Sequence, residues 1–82
     1  MDVGQWLIEQ RTEMDRAEAR WLKQLAQFDR DGLWALDGQF SCATWLVGRA
    51  NMARPPAFEK LRVAHELARR PIVAAAFAQG RL

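Results

Sequence analysis

The chain has 82 residues, half of them hydrophobic and 27% charged, with a formal net charge of +2. That length holds one domain rather than two, and the composition excludes a disordered chain. Cys42 and His65 are the only cysteine and histidine, which excludes an intrachain disulfide and removes the usual ligands and bases of zinc, haem and Cys/His nucleophile sites.

The charge is uneven along the chain. Residues 1–40 carry five Lys/Arg against eight Asp/Glu, and residues 41–82 carry seven against two. A basic rear half faces either a polyanion or the acidic front half. No stretch reaches the ~18 apolar residues of a membrane span. The first ten residues contain Asp2 and Glu9 and no sustained apolar run, so no secretory leader and no membrane partner is expected, and the expected location is cytoplasmic.

The first element is a helix over about 3–30. Val3, Leu7, Met14, Ala17, Trp21, Leu25 and Phe28 recur at steps of three, four and seven, the stripe of an amphipathic helix expected to face the core. Glu9 and Glu13 precede Arg16, Arg20 and Lys23, an order that suits the helix dipole. The same spacing allows a two-stranded coiled coil, and hence a dimer through this helix. "FDRDG" then supplies a stop, with Asp29 and Asp31 read as a solvated turn. In the connector "GLWALDGQF", Trp34, Leu36 and Phe40 are expected to anchor on the core.

Ser41 is a good N-cap for a helix from 42 to about 50, with Trp45, Leu46 and Ala50 inward and Cys42 as a small core residue. "NMARPP" breaks the chain sharply. Pro55 disfavours helical geometry at Arg54, and Pro56 suits the first turn of a helix running to Arg69 or Arg70. Pro71 opens a C-terminal helix over 71–80, with Gly80 as its C-cap. Strand signals are missing. The expected fold is all-α, a small bundle of about four helices whose central pair, over 41–70, has a helix-turn-helix-like layout.

In such a layout the second helix enters the major groove. Its apolar arc (Ala57, Phe58, Leu61, Ala64, His65, Leu67 and Ala68) is opposed by Glu59, Arg62, Glu66, Arg69 and Arg70. These alternate at spacings that build a solvated ion-pair ladder. Arg49 and Arg54, flanking the turn, are the better phosphate contacts. His65 reads as a hydrogen-bonded core residue. The breadth of the arc, and a last helix that is apolar nearly all round, call for neighbours beyond one 82-residue monomer.

Several of these segments together resemble a known family. "RAEARWLKQLAQFDRDGLWALDGQFSCATWLVGRANM" followed by "LRVAHELARRPIVAAAFAQGRL" is similar to the helical domain of unknown function 222, the thirteen-E-twelve repeat family of actinobacteria. The matching positions are Phe28, Asp29, Arg30, Gly32 and Trp34; Ser41, Cys42, Ala43, Trp45 and Leu46; Arg62, Val63, Ala64, Leu67 and Pro71; and Ala76, Phe77, Gly80 and Leu82. Relatives place Gly in the turn where this chain has Asn51, a residue that tolerates left-handed backbone. The resemblance implies a domain that precedes an HNH endonuclease and works on DNA. The histidine-rich metal site of that nuclease is absent from this sequence. In the family the helical domain continues past the segment matching Gly80 and Leu82.

The leading expectation is therefore a non-catalytic, DNA-associated helical module. Its expected phosphate contacts on double-stranded DNA are Arg49, Arg54, Lys60, Arg62, Arg69 and Arg70. The alternative is a protein-interaction or oligomerisation module that uses Trp6, Trp21, Trp34, Phe77 and Leu82 against a second copy or the remainder of the domain. No catalytic, cofactor or metal residues are expected, because no phosphate loop, ligand cluster or nucleophile–base pair is present.

Overall fold

The first helix begins where Asp2 accepts a hydrogen bond from the Gln5 backbone N–H, 3.1 Å away. This carboxylate satisfies one of the four otherwise unpaired N–H groups of the first turn. The structure is a computed structural model that describes residues 2–79, with the side chain of Phe77 excepted. The expected C-cap Gly80, and Phe77 and Leu82 of the expected interaction surface, lie outside what it describes.

Helix α1 spans Val3–Arg30, 28 residues, and forms the long axis of a particle of 48 × 28 × 19 Å. Gly32 and Gly38, with φ of 66° and 77°, bracket a single 3-10 segment, Leu33–Asp37. Both take left-handed backbone that a Cβ would strain. Ser41 then caps α2, Cys42–Arg49, through a reciprocal capping box. Its hydroxyl accepts from the Thr44 N–H, and the Thr44 hydroxyl accepts from the Ser41 N–H, each at 3.1 Å.

Helix α3 runs Arg54–Arg69 and α4 runs Pro71–Ala78. No strand occurs among the described residues, and the four helices pack as an all-α bundle. Helix α3 is central, packed on α1, α2 and α4, while α1 also meets α4. The core joins Leu22, Leu25 and Ala26 of α1, Cys42 and Leu46 of α2, and Ala57 and Ala64 of α3. Alanines at these helix contacts let the backbones approach closely. Phe28 and Trp45 close one end as a tilted aromatic pair, with centroids 4.6 Å apart.

Four expectations are corrected here. The stripe of α1 from Val3 to Trp21 does not face the core. Val3, Leu7, Met14 and Trp21 are exposed, and the buried α1 residues are Ala19, Leu22, Leu25 and Ala26. At 100° per residue the buried face is turned about 100° from that stripe. Only the second half of α1 has a bundle to pack on, so the geometry of that half chooses the face.

Of the connector's apolar residues, only Trp34 anchors; Leu36 and Phe40 are 82% and 93% exposed. The two left-handed glycines fold the segment into a turn too tight to aim all three side chains inward. In α2, Ala50 is the exposed C-cap, and Ala43 is buried in its place.

Helix α3 starts at Arg54, two residues before the expected Pro56. Pro55 and Pro56 occupy its first turn, where the N–H groups that proline lacks have no helical acceptor to lose.

Candidate nucleic-acid interface

The corner between α2 and α3 is built by one residue with left-handed backbone. Asn51, with φ of 58°, is the only described non-glycine residue at positive φ. It lets the Met52 N–H join the Ala50 N–H on the Leu46 carbonyl, each at 3.1 Å, so the end of α2 is satisfied before the chain reverses. Replacing Asn51 by Val is expected to cost roughly 1–2 kcal/mol, while Asn51→Gly is expected to leave stability unchanged. Urea unfolding of the two variants checks this; equal stabilities would mean that the corner does not depend on that conformation.

Arg49 closes α2 and Arg54 opens α3, so the corner presents an arginine on either side, and both are exposed. Among the described residues neither lies within ion-pair distance of a carboxylate. The first turn of α3 carries no acidic residue. With prolines at its second and third positions, that turn offers little hydrogen-bonding N–H to an anion, so any phosphate contact falls to the two guanidinium groups.

The other four basic candidates are engaged. Lys60 pairs with Glu18 of α1. Arg62 is held by Glu59, with Nε and Nη2 at 3.1 and 2.6 Å from its two carboxylate oxygens. Arg69 and Arg70 share Glu66. The hydrogen bond from Arg62 holds the Glu59 carboxyl below its usual range, and the bonds from Arg69 and Arg70 do the same to Glu66. Of the three expected pairs on α3, Glu59–Arg62 and Glu66–Arg70 form; Arg62 does not reach Glu66 within ion-pair distance, and Arg69 takes that place on Glu66. These pairs are exposed and intrahelical, so solvent screening leaves them little effect on stability. They mask charge more than they add stability.

Of the expected interaction residues, Trp6 and Trp21 are exposed on α1. Trp34 turns inward instead. Its Nε1–H donates to the Asp29 carboxylate and carbonyl, at 3.1 and 3.3 Å. His65 Nε2–H donates to the other Asp29 oxygen, at 2.6 Å. Asp29 thus ties α1 to the connector and to α3.

Sequence reasoning read Asp29 as part of a solvated turn. The signal that could have found it is the coincidence of an acid at a helix end, a Trp five residues on and a lone His on an amphipathic helix. Cys42 lies near this cluster, and burial, with a smaller contribution from the Asp29 charge, pushes its thiol up to about 11. That favours an inert core thiol over a nucleophile.

No described helix is long and apolar enough to cross a membrane, and no three metal-ligating side chains converge among the described residues. Comparison of the chain with protein-family models, with curated proteins and with solved structures finds no match.

Proposed function

We propose that this chain is a non-catalytic helical module that associates with duplex DNA through the α2–α3 corner. We take it to be of the kind that precedes HNH nuclease domains in the family its sequence resembles. The observation that carries this reading is the pair of exposed, carboxylate-free arginines, Arg49 and Arg54, on either side of the Asn51 turn. Such a pair can neutralise phosphates without displacing an existing partner. Lys60, Arg62, Arg69 and Arg70 contribute less, since each must first release Glu18, Glu59 or Glu66.

Fluorescence anisotropy of a labelled random-sequence duplex at ~50 and ~200 mM salt tests the reading. Micromolar binding that weakens steeply with salt is expected. Replacing both Arg49 and Arg54 by Ala removes two phosphate contacts and is expected to flatten the slope of log K on log salt by about 2. Replacing Arg62 by Ala is expected to change it far less. A folded protein that leaves the duplex free at the lower salt would overturn the proposal.

A second reading, association through α1, is favoured by a separate observation. Val3, Trp6, Leu7, Ile8, Met14 and Trp21 are all at least 41% exposed on one helix. So much exposed apolar surface on a small domain is characteristic of an interaction site.

A further inference from the structure

The first half of α1 projects from the bundle, and its apolar stripe has the period of a helix-pairing seam. Leu7, Met14 and Trp21 are seven residues apart, with Gln10, Ala17 and Gln24 on the alternate seam positions. All six are exposed along one side of the helix. Beside Met14, Ala17 and Trp21 lies an open groove of about 500 Å³, bounded by Glu18 and by Lys60 and Met52 of the bundle. A second helix laid on the seam would fill this groove.

The charges flanking the seam select the occupant. On one flank stand Glu13 and Arg20, on the other Arg11 and Glu18. Within one copy Glu13 also pairs with Arg16, Arg11 with Asp15 and Glu18 with Lys60, so contacts across the seam share these charges. In a paired helix, flanking residues meet across the seam and set partner and orientation. A second copy laid antiparallel, with Met14 against the partner's Ala17, places Glu13 opposite the partner's Arg20. It also places Arg11 opposite the partner's Glu18. By symmetry each pair forms twice.

Shifting this register by one heptad either way puts identical charges face to face. In one direction Glu13 meets the partner's Glu13 and Arg11 the partner's Arg11. In the other, Arg20 meets the partner's Arg20 and Glu18 the partner's Glu18. A parallel pair sets Glu13 against the partner's Glu18. One arrangement of four is complementary on both flanks.

We propose that the chain forms an antiparallel homodimer through α1, centred between Asp15 and Arg16, in that register. This rests on the reading of α1 as an association surface. It adds the partner, a second copy, and the geometry. The antiparallel order places each copy's bundle beside the projecting half of the other's α1. Trp21 then lies against the partner's Gln10, and Leu7 against the partner's Gln24.

Sedimentation equilibrium of the full chain across the micromolar range tests both levels, with helical content measured for each variant. Wild type is expected to be dimeric. Glu13→Arg turns both Glu13–Arg20 contacts repulsive and is expected to weaken the dimer about tenfold. The double variant with Glu13→Arg and Arg20→Glu is expected to restore it. A wild-type protein that stays monomeric, including one whose α1 is covered by a different occupant, overturns the association reading and the dimer together. A dimer that Glu13→Arg strengthens or leaves unchanged keeps the association reading and overturns the antiparallel register, since a parallel pair gains attraction from that change.

Discussion

Leu46→Ala is expected to lower the unfolding free energy by roughly 3–4 kcal/mol, and Leu22→Ala by a similar amount. Among the described residues these are the two largest fully buried side chains, each 1% exposed. They belong to one cluster to which α1, α2 and α3 all contribute. Truncation loses the transfer free energy of the removed methyl groups and leaves a cavity. The surrounding residues include helix-borne alanines with no length to fill it.

A domain of this size has about 4–12 kcal/mol of stability, so either change removes a large share. Urea unfolding followed by tryptophan fluorescence reads it as a shift in midpoint at constant slope. Leu36→Ala and Phe40→Ala, at exposed positions of the connector, are expected to have little effect. A Leu46→Ala variant as stable as the Leu36→Ala variant would mean that the core is elsewhere.

Ala57→Leu is the converse test, addition where there is no space. Ala57 is 0% exposed and belongs to the same cluster, one residue after Pro56 in the first turn of α3. Its N–H bonds the Ala53 carbonyl at 3.1 Å. The fixed φ of the two preceding prolines limits how far the helix start can shift to relieve a clash. Overpacking is expected to cost about 1–3 kcal/mol, or roughly 4–8 °C in Tm for each kcal/mol. Ala68→Leu, at an exposed position near the far end of the same helix, serves as the reference. If the two variants melt together, α3 does not sit against α1 and α2 as described.

Both predictions concern residues that the sequence ranked unevenly. Leu46 was legible as core because Ser41 marks the helix start and fixes which residues follow one turn later. Leu22 was not. The most regular apolar spacing in α1 passes through Met14 and Trp21, and that line is exposed. Periodicity reports that a helix has an apolar side, but cannot say which of two apolar sides meets the bundle.

The candidate interface was legible in the same partial way. Arg49 and Arg54 follow from their place beside the proline break, and the Glu59–Arg62 and Glu66–Arg70 pairs on α3 follow from their three- and four-residue spacings. The pairing of Lys60 with Glu18 joins residues 42 positions apart, so nothing local foretold it. The same is true of the Asp29–His65 bond across 36 positions.

Sequence alone therefore determined what short-range chemistry controls: four helices, the cap at Ser41, a corner at Asn51 and two prolines, and a basic rear half. Capping, proline geometry and helical spacing act within a few residues, so they can be read along the chain. Tertiary structure alone decided which face of α1 is buried, that Trp34 turns inward while Leu36 and Phe40 do not, and which arginines keep their charge uncompensated. Those outcomes depend on which distant surface arrives, because burial and ion pairing are properties of two elements meeting and neither element carries the answer by itself.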